Sequence, residues 1–142
     1  MARSIPSNQE AEQSLLSSMF ISKYALDKAV DSLTEDDFYY DNNKVIFNSL
    51  CHLASNNIPI DMTSIVTELK NSNKLNEAGG INYLTEVLGS ETVAGNIEYY
   101  IKKVSDASLM RRLIKVSEEI QNMGYELGED VNETLDEAEK SL

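Results

Sequence analysis

The chain has 142 residues, of which 42% are hydrophobic and 25% charged, and this size suits one globular domain. Twelve Lys and Arg against 24 Asp and Glu give a net charge of -12, which argues against a protein that binds DNA mainly by charge. One cysteine and one histidine exclude an internal disulfide framework and a histidine-based metal cluster within one protomer.

The first helix is predicted to start at the capping box Ser7-Asn8-Gln9-Glu10 and to run to about Ile21. A second short helix carries Ala25, Leu26, Ala29, Val30 and Leu33 on its apolar face. A capped turn at Thr34-Glu35-Asp36-Asp37 comes next, and Asn42 or Asp41 is predicted to cap a third helix. Each of these pieces is amphipathic, so each must bury one face against the others.

Two further helices complete this region. Asp61 is a predicted cap for a helix over 62–70, and the pair Gly79-Gly80 leads into a helix over 81–88 that Gly89 closes. Residues 1–92 are therefore predicted to form a compact helical head.

The remaining residues, 93–142, predict a long helix and a helical hairpin. The long helix starts at Thr92 or Val93 and ends at Met123, with Gly124 as its C-cap, and Asp130 opens a last helix. The fold class is thus all-α: a compact multi-helix head followed by a long helix and a C-terminal hairpin. The last helix lacks a stop signal at Leu142, so we expect a longer protein to continue beyond it.

The apolar stripe of the long helix changes phase near its middle. Ile97, Ile101 and Val104 form one stripe, which polar Ser108 interrupts. The new stripe has more apolar surface than the opposing arm can cover, so we expect it to be buried against another chain. It consists of Leu109, Met110, Leu113, Ile114, Val116, Ile120 and Met123, with Leu135 on the opposing arm. Basic residues on the first arm and acidic residues on the second favour antiparallel pairing of the arms.

The sequence offers no catalytic constellation. A phosphate-binding Gly-x-x-x-x-Gly-Lys-Ser/Thr loop is missing, which argues against ATP hydrolysis by this chain. Cys51 and His52 are neighbours on one helix and point about 100° apart, which suits no thiolate–imidazole pair. No apolar run approaches the roughly 18 to 20 residues that cross a bilayer, so we expect a cytoplasmic protein without membrane contact.

Several ordered segments resemble the N-terminal domain of the bacterial replicative DNA helicase of the DnaB family. They cover essentially the whole chain and include Glu10-Ala11-Glu12-Gln13, Asp37-Phe38-Tyr39, Ile58-Pro59-Ile60-Asp61, Gly79-Gly80-Ile81-Asn82-Tyr83-Leu84 and Asn96-Ile97. The sequence departs from the family at Ser17, where Gly is common, at Asn43, where His is common, and before the long helix, where a Pro is missing.

The resemblance implies a non-catalytic collar domain that dimerises through its hairpins and assembles as a trimer of dimers in a hexameric helicase. It implies docking of the primase C-terminal domain, centred on Glu10 and Tyr83, and of helicase loaders in some bacteria. Arg111, Ile114 and Ile120 would lie in the dimer interface. ATP and Mg²⁺ would bind only to a downstream RecA-like motor, so this region would carry no cofactor and no metal, and it would act at the replication fork.

The residue pattern also permits two other functions. A stand-alone nucleic-acid-binding module would use Arg111, Arg112, Lys115 and the tyrosines, against the net charge. A different helical protein-interaction module would use the same apolar stripe with another partner.

Overall fold

The computed structural model describes residues 3–89, 96–126 and 130–142, and it confirms the all-α prediction. Seven α-helices and one 3₁₀ turn account for the regular structure of these residues. In chain order they are α1 Gln9–Ile21, α2 Lys23–Ser32, the 3₁₀ turn Glu35–Asp37, α3 Asp41–Ser55, α4 Met62–Asn71, α5 Gly80–Leu88, α6 Ile97–Tyr125 and α7 Val131–Ser141. The predicted start of α6 at Thr92 or Val93 lies outside the described residues.

Local capping signals fixed most of the helix starts. Asp61 and Asp130 cap α4 and α7 as predicted, each accepting a backbone N–H with its carboxylate. The predicted capped turn at Thr34 is present, since the N–H of Thr34 donates to Oδ2 of Asp37 at 2.8 Å. The box predicted between Ser7 and Glu10 is wrong, because Asn8 is the N-cap and its Oδ1 accepts the N–H of Ala11 at 2.9 Å.

The chain divides into two compact units. Ser7–Ser108 form one, here called the core unit, and Met1–Pro6 with Leu109–Leu142 form the other, here called the hairpin unit. The division falls at Ser108, where the apolar stripe of α6 changes phase. Within the core unit, the hydroxyl of Ser108 donates to Oδ1 of Asp37 at 2.8 Å.

Helix α1 is the centre of the core unit. It packs on α2, α3 and α5, while α3 packs on α4 and on the 3₁₀ turn. The buried apolar residues follow helical spacing on every element, as in Leu15, Leu16 and Met19 of α1. The N-terminal part of α6 contributes Ile97 and Val104, which are each 1% exposed, so this stripe belongs to the core.

The hairpin unit contains the C-terminal part of α6 and all of α7. Gly124 lies inside α6, which ends at Tyr125, so the predicted C-cap at Gly124 is wrong. A glycine costs about 1 kcal/mol in a helix interior, and continued i to i-4 hydrogen bonding offsets that cost here. None of the helices in the described residues is long and apolar enough to cross a membrane.

Candidate functional site

A buried carboxylate organises one surface of the core unit. Glu12 of α1 is 2% exposed, and its oxygens accept the backbone N–H groups of Tyr39 at 2.8 Å and Tyr40 at 3.4 Å. Oε1 of Glu12 also accepts a hydrogen bond from Nδ2 of Asn43 at 3.0 Å. These three donors surround the N-terminus of α3, where the helix dipole favours a negative charge. Glu12 therefore binds the two residues before α3 and one side chain of its first turn. Tyr40 is at the N-cap position without a side-chain cap hydrogen bond, so the predicted cap at Asn42 or Asp41 is wrong.

The same cluster holds Tyr83 of α5. Its hydroxyl donates a hydrogen bond to Oδ1 of Asn43 at 2.6 Å and accepts one from Nε2 of Gln13 at 3.2 Å. Burial raises the pKa of Tyr83 above its usual value, and the negative charge of Glu12 adds to that rise. The phenol therefore stays protonated at neutral pH and keeps donating to Asn43.

Gly79 makes room for the Tyr83 ring. Its φ of 102° is in the left-handed region, and a Cβ at this position would lie 2.8 Å from Cβ, Cγ and Cδ2 of Tyr83. A larger residue at position 79 would therefore strain the backbone and push the ring away. The glycine pair predicted to be a helix entry has this further role in placing Tyr83.

The two residues assigned to primase docking by resemblance lie differently. Tyr83 is half-buried within the hydrogen-bonded cluster, whereas Glu10 is exposed on the first turn of α1. Sequence reasoning missed Asn43, which accepts the hydrogen bond of the Tyr83 hydroxyl, and Glu12, which accepts one from Asn43. One signal was available: Glu12 shares the α1 face of Leu15, Leu16 and Met19, so it had to be buried with a partner.

The predicted interface residues of the hairpin unit separate into two rows. The outer row is exposed by more than a third of each side chain and consists of Leu109, Met110, Leu113 and Ile114 on α6, with Val131 and Leu135 on α7. The inner row is half-buried at heptad spacing and consists of Val116, Ile120 and Met123 on α6 and Thr134, Ala138 and Ser141 on α7. The inner row is thus the more buried side of the hairpin unit, and the outer row is exposed.

Arg111 has a partner within its own chain. Its Nη1 donates to the carbonyl oxygen of Pro6 at 3.0 Å, and its side chain is partly buried. Arg112 and Lys115 on the same arm are exposed, so the pairing predicted between these bases and the acidic arm remains a prediction.

Cys51 is chemically unsuited to act as a nucleophile. Burial raises the pKa of its thiol to about 11, with a further contribution from the charge of Glu35. His52 does not activate it, because Nδ1 of His52 lies 2.8 Å from Oε1 of Glu68 on α4. Among the described residues, no group of His, Cys, Asp and Glu side chains could hold a metal ion.

This thiol should react slowly at pH 8. The pKa rise from 9.0 to about 11 reduces the thiolate fraction about a hundredfold, and alkylation of Cys51 should slow by a similar factor. The test compares the rate constant for iodoacetamide in the folded chain with that in the urea-unfolded chain. Equal rates in the two states would show that the thiol is not desolvated.

Comparison with known proteins identifies the family. The family model described as "DnaB-like helicase N terminal domain" matches residues 4–106. The replicative DNA helicase DnaC of Bacillus subtilis is 40% identical over 137 residues, which cover 96% of this chain and 30% of the relative. The replicative DNA helicase DnaB of Geobacillus stearothermophilus is 34% identical, with the same two coverages. This chain thus spans about 30% of the length of these relatives.

A solved structure gives the same fold over the whole chain. The N-terminal domain of DnaB helicase from Mycobacterium tuberculosis superposes with a TM-score of 0.89 and 29% identity, covering 97% of each chain. A DnaB-like replicative helicase, described with its interactions with primase, matches with a TM-score of 0.75 and 24% identity over 94% of this chain and 30% of that one. The chain belongs to the family of DnaB-like helicase N-terminal domains.

Proposed function

We propose that this chain is the non-catalytic collar of a hexameric replicative helicase: it assembles the ring through its hairpin unit and docks primase on its core unit. Family membership supports the helicase assignment, and the matched part of the relatives is their N-terminal domain. ATP and Mg²⁺ would serve a motor elsewhere in such a protein, since this sequence has no phosphate-binding loop.

The outer row of the hairpin unit is the observation that supports assembly most directly. Leu109, Met110 and Leu113 are each more than half exposed and lie within about one turn of one another on α6. A contiguous apolar face of this kind marks a protein-interaction surface. A second copy of the chain presents the same row, so the two rows can cover each other about a twofold axis.

Primase docking is supported by the exposed surface around Tyr83. The half-buried ring of Tyr83 is held by hydrogen bonds to Gln13 and Asn43, and Glu10 adds an exposed carboxylate on α1. An aromatic ring fixed by hydrogen bonds is a low-entropy anchor for a partner. A helicase loader is a further partner that the family assignment suggests.

The docking proposal predicts an effect of Glu10. The Glu10→Ala variant should weaken binding of the primase C-terminal domain about tenfold by removing one charged contact at the interface. Calorimetric titration of the isolated primase domain into this chain measures the effect. Asp31→Ala is the matched control, because Asp31 is also an exposed carboxylate on a helix of the core unit. Equal affinities of the two variants would exclude Glu10 from the docking surface.

Light scattering after size exclusion over a dilution series tests assembly. We expect a dimer or a higher oligomer that dissociates on dilution. A monomer at every concentration would contradict self-association through the hairpin unit.

A further inference from the structure

The N-terminal segment, residues 3–6, lies with the hairpin unit. It belongs to the same compact unit as Leu109–Leu142, and the following residue, Ser7, belongs to the other unit. The bond from Arg111 to the Pro6 carbonyl attaches the segment to α6 at 3.0 Å. Since the donor is a guanidinium, the bond is charge-assisted and stronger than a neutral hydrogen bond.

The attachment lies beside the outer row, and an apolar residue is next to it. Ile5 directly precedes Pro6, so its Cα lies about 3.8 Å from that of Pro6, and its side chain is 49% exposed. On α6, Arg111 follows Met110 and lies one turn before Ile114, so it borders the outer row. The segment that contains Ile5 is therefore attached to α6 at the edge of the outer row.

We propose that residues 3–6 form part of the surface on which a second copy of this chain docks, with Ile5 as a contact and Arg111 as the positioning residue. The proposal rests on the self-association proposed above. Arg111 acts through Pro6 of its own chain, rather than through a contact across the interface.

The charges of the hairpin unit favour a second copy over another partner. On α6, exposed Arg112 and Lys115 lie among the residues of the outer row, and exposed Glu118 and Glu119 follow them. The exposed carboxylates of α7 are Glu133, Asp136, Glu137 and Glu139. A copy related by a twofold axis can place its acidic α7 against the basic part of α6 in the first, and the reverse contact follows by symmetry.

The first test changes Ile5 and a matched isoleucine. Ile5→Ser should raise the dimer dissociation constant about tenfold, because a twofold interface loses the apolar contact twice. Ile81→Ser is the control, since Ile81 is also 49% exposed but lies in the core unit. Sedimentation equilibrium measures both constants, and we expect no change for Ile81→Ser. If Ile5→Ser is as silent as Ile81→Ser, the N-terminal segment is not part of the interface.

The second test separates positioning from direct contact. Arg111→Ala should raise the dissociation constant by a similar factor, and adding Ile5→Ser should weaken the dimer no further, since both changes disable one segment. Additive effects would show that Arg111 contacts the second copy directly and would overturn its role as a positioning residue.

A protease assay on dilute, monomeric chain isolates the attachment itself. Trypsin should cleave after Arg3 several-fold faster in Arg111→Ala than in the wild type, and Arg111→Lys should restore part of the protection. Equal cleavage rates would overturn the attachment. A wild type that is monomeric at all concentrations would overturn both this inference and the assembly proposal, whereas a dimer that Ile5→Ser leaves intact would overturn this inference alone.

Discussion

An aspartate at position 114 should dissociate the oligomer while leaving the fold intact. Ile114 is 38% exposed in the single chain, so the carboxylate of Ile114→Asp remains solvated and the helix persists. In the assembled state the same carboxylate would be buried in the apolar row of both copies. We expect the dissociation constant to rise at least about a hundredfold, which corresponds to roughly 3 kcal/mol. Light scattering over a dilution series measures the change.

Val30→Asp is the matched control for this variant. Val30 lies on α2 of the core unit and is 39% exposed, so the substitution adds the same charge at a similar exposure outside the outer row. It should leave the oligomer unchanged. Circular dichroism should report the same helix content for both variants. If Ile114→Asp remained oligomeric, the outer row would not be the assembly surface.

Loss of the Glu12 carboxylate should destabilise the core unit more than any other single change to its polar residues considered above. Glu12→Ala leaves the N–H groups of Tyr39 and Tyr40 and the amide of Asn43 without their acceptor. Unsatisfied buried donors of this kind cost about 1 to 3 kcal/mol each, and relaxation of the site reduces the sum, so we expect about 2 to 4 kcal/mol of lost unfolding free energy. Urea denaturation measures it.

Glu10→Ala is the control for Glu12→Ala, because it removes an exposed carboxylate two residues earlier in the same helix turn. It should change the unfolding free energy by about 0.5 kcal/mol at most. The two variants should also differ at Tyr83, whose ring signals should shift in NMR spectra of Glu12→Ala because Asn43 loses its hydrogen bond to Glu12. Similar stabilities of the two variants would contradict the role of Glu12 in holding the start of α3.

Helices with local start signals were predictable from the sequence. Asp61 and Asp130 cap helices that begin one residue later, since an N-cap side chain reaches only the first turn of its own helix. The change of phase in the apolar stripe at Ser108 was also predictable from the sequence, because the burial of Ile97 and Val104 follows the periodicity of a single helix. These features depend on residues within a few positions of each other.

The start of α3 was not predictable in the same way. The residues just before it are bound by the carboxylate of Glu12, which lies 27 residues before Tyr39 along the chain. Neighbouring Asp41 and Asn42 have suitable side chains, so local rules favour them. The packing of α1 on α3 brings Glu12 to the helix N-terminus instead, and no local pattern contains that contact.

Gly124 shows a related limit. A glycine after an apolar stripe is typical of a helix C-cap, yet α6 continues to Tyr125. A glycine in a helix interior costs about 1 kcal/mol relative to alanine, which the hydrogen bonds of the adjoining residues can outweigh.

The sequence by itself determined the all-helical class, most helix positions and an apolar face larger than the opposing arm can cover. Helical periodicity and capping are short-range properties, so they can be read from neighbouring residues. The tertiary structure alone decided which polar groups pair. It brought Glu12 into hydrogen-bond contact with Asn43, and Asn43 into contact with Tyr83. It also brought Arg111 to Pro6, which is 105 positions away along the chain. Buried polar groups must find partners wherever packing places them, so these pairings depend on the whole fold.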